Sequence, residues 1–184
     1  MNFFQATGYA AFMSAETFKQ SFPPVVDAQV RVLILGSLPG EVSLRAQRYY
    51  AHPTNQFWRL VGGVVGLDLV HQPYDMRLDT LLSHHVGLWD VIREARRAGS
   101  LDGNIRDHSP NALRELVTGL PGLKAVAFNG GTSAAIGRKQ LGAEAGPALI
   151  SLPSSSAAYT KPFETKLDEW MALRPYLKIS GTGS

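Results

Sequence analysis

The sequence predicts an α/β fold: a single-domain, three-layer α/β/α sandwich around a central four-stranded parallel sheet. Short runs rich in Val, Ile, Leu or Ala occur at residues 30–35, 85–89, 125–128 and 148–152, and each breaks off into small or polar residues. Between these runs lie segments with helical apolar spacing, the alternation that builds a parallel sheet from strand–helix–strand units. No repeat or linker interrupts the 184 residues, so they read as one domain with its core at about 18–177. With the strands parallel, the turns at 36–40, 90, 129–131 and 153–156 share one sheet edge, where open α/β folds bind ligands.

Each element follows from local pattern. A helix around residues 14–20 is expected ahead of Pro23-Pro24, a pair that continues neither helix nor ladder. After the first strand, 41–48 forms a short helix or an ordered loop. A helix over 54–63, capped by Thr54 or Asn55, places Phe57, Leu60 and Val61 on its apolar face. Another helix over 74–82 follows Pro73. Beyond Asp90, 91–98 reads as a helix carrying Arg93, Arg96 and Arg97 on a solvated face, with Gly99 as its stop. Residues 100–111 are polar and irregular, and 111–120 resumes a helix with Leu113, Leu116 and Val117 inward. Helices over 132–140 and 162–173 follow the last two strands, the second burying Phe163, Leu167, Trp170 and Met171. The tail 180–184 is expected to be disordered.

Composition narrows the function. Eighteen Lys and Arg against 15 Asp and Glu give a net charge of +3, which permits a polyanionic partner without requiring one. The absence of cysteine excludes disulfides, cysteine-ligated metals and thiol nucleophiles. Residues 1–12 lack a basic start and a long apolar centre, and no uncharged apolar run approaches the roughly 18 residues of a membrane span. The expectation is a soluble cytoplasmic protein. Residues 36–43 lack the Gly-Lys-Ser/Thr ending of a nucleotide P-loop, and no G-x-S-x-G or H-x-x-x-H spacing occurs. Neither a metal nor a cofactor is expected.

The most specific stretch is GSLPGEVSLRAQRYYAHPTNQFW, residues 36–58. It resembles motif one of the uracil-DNA glycosylase superfamily, in which a strand ends in G-x-x-P-G, an aromatic residue follows at a set distance, and a stretch similar to AHPxNxFW comes next. The resemblance extends through Ser21-Phe22-Pro23-Pro24, Gly87-Leu88-Trp89-Asp90, Ser100-Leu101-Asp102-Gly103-Asn104-Ile105, Phe128-Asn129-Gly130 and Leu152-Pro153-Ser154-Ser155-Ser156. It is strongest to the hypoxanthine-DNA glycosylase branch, family six.

The resemblance implies a monofunctional DNA glycosylase that removes a deaminated base, uracil or hypoxanthine, without metal or cofactor, to start base excision repair. Its partner would be DNA containing that base, and the enzyme a monomer. Base flipping needs a pocket, an aromatic face and grips on the strained backbone. Tyr50 fits the stacking wall. Ser37 and Leu38 lie in the turn against the base, and Asn129 is placed to read its polar edge. Pro39, Gly40, Ser154, Ser155 and Ser156 fall where motifs one and two hold the flanking phosphates. Many superfamily members carry Asp or Asn at the third position of motif one to position water; here it is Leu38. The uracil-specific enzymes carry His before the second-motif Pro; here it is Leu152. The hypoxanthine branch shares the first loss, and its resemblance assigns the catalytic amide to Asn55, with Asp90 and His52 as the other catalytic candidates.

The same residues admit structural roles. Asn55 at a helix start is a natural cap, His52 a loop residue, Tyr50 a core aromatic, Asp90 a cap for the next segment, and the serines an ordinary turn. Leu38 also motivates a rival function, a non-catalytic binder of damaged or abasic DNA. A nucleotide N-glycosidase acting on monomers is a further alternative.

Overall fold

The computed structural model describes residues 17–142 and 146–178. Its centre is a parallel sheet of β2 (Val32–Gly36), β3 (Val86–Asp90), β6 (Ala125–Asn129) and β7 (Ala148–Leu152), in the order β3-β2-β6-β7. Every residue of β2 is buried because both faces of the strand are covered. Val32 and Ile34 face one apolar layer; Leu33 and Leu35 face the other. That alternation is the two-residue period of a strand, and it divides the core into two halves.

On the first side lie α2 (Phe57–Val65), α3 (Tyr74–Ser83) and α6 (Phe163–Trp170), which contribute Phe57, Leu60, Leu81 and Trp170 to the core. On the other side are α4 (Leu113–Thr118) and α5 (Gly131–Leu141). The helices α1 (Glu41–Ala46) and α7 (Arg174–Leu177) are short. Among the described residues no helix is long and apolar enough to cross a membrane. The three-layer sandwich and its four-stranded parallel sheet are therefore as predicted.

A second sheet was not predicted. β1 (Thr17–Gln20), β4 (Ile92–Arg97) and β5 (Ile105–Pro110) form an antiparallel sheet in the order β1-β4-β5. This overturns the helix expected over 91–98 and the irregular stretch over 100–111. It also replaces the described part of the helix expected over 14–20, whose residues 14–16 lie outside the described residues, as does the tail 180–184. The helical pattern loses because β4 gains ladder partners on both edges. Asn111 secures the transition into it, donating from Nδ2 to the carbonyls of Asp90 at 2.8 Å and Ile92 at 3.1 Å. The arginines consequently split: Arg93 and Arg96 are exposed, whereas Arg97 is buried at 1% exposure.

Candidate active site

The four sheet strands end at one edge, and beyond that edge lies a cavity of about 490 Å³. This is a size typical of small-molecule sites. Gly36 and Asp90 are register partners at the ends of β2 and β3, as are Asn129 and Leu152 at the ends of β6 and β7. The turns that follow supply Ser37, Leu38, Pro39 and Gly40 on one wall and Ser154, Ser155 and Ser156 on another. Tyr50, His52 and Asn55 also line it, so all the sequence-predicted site residues meet in one place.

Their individual settings differ. Leu38 is 5% exposed and its side chain packs in the apolar layer with Leu35, Ile92 and Phe128, so the backbone is what position 38 offers a ligand. Ser37 donates from Oγ to Asp102 Oδ1 at 2.7 Å. Tyr50 has a left-handed backbone, φ 51°, and its ring stacks on Phe57 with centroids 3.7 Å apart and 7° between planes. Burial raises its hydroxyl pKa, the nearby Asp90 charge acting the same way.

Asn129 joins two walls. Its Nδ2 donates to Tyr50 Oη at 3.2 Å and to Ser155 Oγ at 2.9 Å, while its Oδ1 accepts the Ser155 N–H at 2.8 Å. Both amide hydrogens are thus committed, leaving an oxygen lone pair for a ligand. Below the serine turn, Lys166 is 1% exposed and donates to Gln56 Oε1 at 3.0 Å and to the Ser156 carbonyl at 3.1 Å. Burial lowers its pKa. The Gln56 N–H donates to the Ser155 carbonyl at 2.9 Å, which ties this turn to the start of α2.

Asn55 lies just ahead of α2, and its Oδ1 accepts the Phe57 N–H at 2.9 Å. The side chain is therefore a cap held in a fixed orientation. Its Nδ2 makes no hydrogen bond among the described residues, which leaves a donor at the cavity wall. His52 is exposed, and its Nδ1 meets Thr54 Oγ1 at 2.9 Å.

Asp90 is the outlier. It is 3% exposed, and its Oδ2 is buried with no hydrogen-bond partner among the described residues. Burial pushes its pKa up to about 7, with the Arg97 charge opposing the rise and the Asp102 charge adding to it. A buried carboxyl poised near neutrality inside a cavity suits proton transfer or stabilisation of a developing cation.

Ser100, Leu101, Asp102 and Tyr159 also line the cavity but were not singled out as site residues. The first three lie in the SLDGNI stretch already matched in the sequence, a signal that could have found them. Arg97 and Lys166 carried no such signal, because their burial depends on chain segments far from them in sequence.

The profile of the Uracil DNA glycosylase superfamily matches residues 23–178. A Methanosarcina barkeri protein named hypoxanthine DNA glycosylase is 48% identical over 112 residues, covering 61% of this chain and 71% of the relative. A Methanosarcina acetivorans protein of the same name is 39% identical over 155 residues, covering 84% of this chain and 97% of the relative. The solution NMR structure of a candidate uracil DNA glycosylase from Methanosarcina acetivorans superposes with a TM-score of 0.77 at 37% identity, covering 88% of this chain and 99% of that one. The sandwich with its cavity at the carboxyl edge of the sheet thus has the architecture of a nucleobase-excising enzyme. The chain belongs to the uracil DNA glycosylase superfamily.

Proposed function

We propose that the protein is a monofunctional DNA glycosylase that hydrolyses the N-glycosidic bond of a deaminated base, uracil or hypoxanthine, leaving free base and an abasic site. The observation that carries this reading is the buried Asp90 carboxyl, whose Oδ2 has no hydrogen-bond partner among the described residues, facing the same cavity as Tyr50, the 36–40 turn and the serine turn. The names of the two Methanosarcina relatives favour hypoxanthine as the first substrate to test.

An extruded base enters the cavity against Tyr50, whose opposite face is braced by Phe57. Backbone N–H groups of the 36–40 turn meet the base oxygen or a neighbouring phosphate, and Ser154 to Ser156 hold the flanking backbone. As the C1′–N bond lengthens, positive charge grows on the sugar, and ionised Asp90 stabilises it in a water-poor setting where charges interact strongly. Asn55 positions the water through its amide. Water oxygen adds to C1′, its surplus proton is lost to a nearby base, and the departing nucleobase is protonated as it leaves. His52 at the rim is the secondary candidate for handling those protons. Asn129 orients Tyr50 and Ser155 and offers its remaining lone pair to the base edge. The same reading has the enzyme act as a monomer.

Duplex and single-stranded oligonucleotides carrying hypoxanthine, uracil or xanthine, assayed beside free deoxynucleotides and followed by alkaline cleavage, test the proposal. Alkali-dependent scission at hypoxanthine or uracil supports it. Tight binding to abasic DNA with no scission would establish a non-catalytic binder instead, and hydrolysis of monomers alone a nucleotide N-glycosidase.

A further inference from the structure

The carbonyls of the 36–39 turn all face protein donors. Gly36 O accepts the Val91 N–H at 2.9 Å and Ser37 O the Ile92 N–H at 3.1 Å. Leu38 O accepts Arg97 Nη1 at 3.1 Å, and Pro39 O accepts Arg97 Nη2. The described peptides are all trans, and in a planar trans peptide the N–H points opposite to the carbonyl that precedes it. The N–H groups of Ser37, Leu38 and Gly40 are therefore directed away from β4. None of them donates to the backbone or to a side chain among the described residues, and all three residues line the cavity.

Two of those carbonyls depend on a single side chain. The Arg97 side chain is fully buried, and its Nη1 stands 3.9 Å from Asp102 Oδ1, the same oxygen that receives the Ser37 hydroxyl. A guanidinium presents its donors in a rigid planar fork, so one arginine can hold two adjacent carbonyls at a fixed relative angle. An ammonium on a flexible stem cannot reproduce both bonds. Such a fork also brings a buried positive charge beneath a turn whose exposed side carries only donors.

We propose that Arg97 is a positioning residue: by holding the Leu38 and Pro39 carbonyls back, it aims the N–H groups of the turn, Gly40 above all, into the cavity as a preformed donor array for the substrate. The inference rests on the glycosylase reading for its substrate. Its geometric content stands apart from that reading, because the Gly40 N–H can be observed without any reaction. Donors fixed before the reaction contribute to the barrier without reorganisation, so the loss should fall on the chemical step.

The test compares wild type, Arg97→Lys and Arg97→Met in single-turnover excision from hypoxanthine- and uracil-containing duplexes, with thermal melting and ¹⁵N-resolved NMR spectra. Arg97→Lys is expected to stay folded, to lose about 10-fold or more in the rate constant at saturating enzyme, and to keep the half-saturating concentration within about threefold. The Gly40 amide resonance should shift while those of β6 and β7 stay in place. A folded Arg97→Lys with wild-type rate constant overturns the proposal, as does a loss confined to half-saturation or an unmoved Gly40 amide. Should Arg97→Met fail to fold, Arg97→Lys carries the test. If wild type excises neither base, the glycosylase reading falls, and the Gly40 amide in Arg97→Lys still decides whether Arg97 orients the turn.

Discussion

A Cβ placed on Gly36 would lie 2.5 Å from Asp90 Oδ1 and 3.0 Å from the Tyr50 hydroxyl oxygen. The ends of β2 and β3 thus approach each other so closely that only a glycine lets the carboxyl and the phenol share this part of the cavity. Gly36→Ala should still fold, since strand geometry accepts alanine, at a cost of about 1–3 kcal/mol for the displaced side chains. Single-turnover excision should fall about 100-fold or more because both Asp90 and Tyr50 must move. Wild-type rates in this variant would show that neither position is critical.

Asp90 has a pH signature. With its pKa near 7, excision should rise through neutrality as the carboxylate forms and level off above pH 8. Asp90→Asn should lose about 10²-fold to 10³-fold in rate and flatten that profile. Stability moves the other way. The folded state keeps the proton up to about pH 7, whereas the unfolded chain releases it near 3.8, so the wild type becomes less stable as pH rises across that window. A difference of that size corresponds to roughly 4 kcal/mol. Asp90→Asn should therefore melt above wild type at pH 8, with the gap closing toward pH 4; melting curves at the two pH values check it.

Asn55 combines a cap with a free amide donor, and two substitutions separate the roles. Asn55→Ala should lose about 1 kcal/mol of stability with the Phe57 N–H bond, and about 10²-fold to 10³-fold in excision rate, while binding to abasic DNA stays nearly intact. Asn55→Asp retains the cap but not the donor. It should recover the stability and not the rate, in a paired comparison of melting and single-turnover kinetics. Recovery of both would mean that the acceptor oxygen common to Asn and Asp, and not the amide donor, is what position 55 supplies.

Tyr50→Ala should weaken engagement of the extruded base by about 1–3 kcal/mol, the range for an aromatic stacking partner. Tyr50→Phe keeps the ring on Phe57 and loses the bond from Asn129, a loss of about 1 kcal/mol. Equilibrium binding to a duplex with a non-hydrolysable deaminated nucleotide separates them. Equal damage from both would mean that the hydroxyl, and not the ring, is what the site needs.

Much of this arrangement is legible in the sequence because parallel-sheet physics is local in pattern. Four apolar runs ending in Gly36, Asp90, Asn129 and Leu152 define strands buried on both faces. Their common direction brings the 36–40 turn, Asp90, Asn129 and the serine turn to one edge, whereas Tyr50 and Asn55, which end no strand, were assigned to that edge only by the family resemblance. The antiparallel sheet was not legible. Residues 92–97 have the composition of a helix, and Thr17–Gln20 with Ile105–Pro110 pair with them only once the chain has folded.

The chain's sequence by itself determined the parallel sheet, the edge that carries the cavity and the residue types along that edge, since strand period and turn chemistry are set by neighbours in the chain. Tertiary structure alone decided which charges are buried. Asp90 Oδ2 is left without a hydrogen-bond partner among the described residues by walls drawn from segments 36–40, 50 and 129, and Arg97 is carried under Leu38 and Pro39 by a strand that exists only through its partners. Desolvation and hydrogen bonding depend on which atoms are near in space, and no pattern in neighbouring residues encodes a contact made across 59 positions.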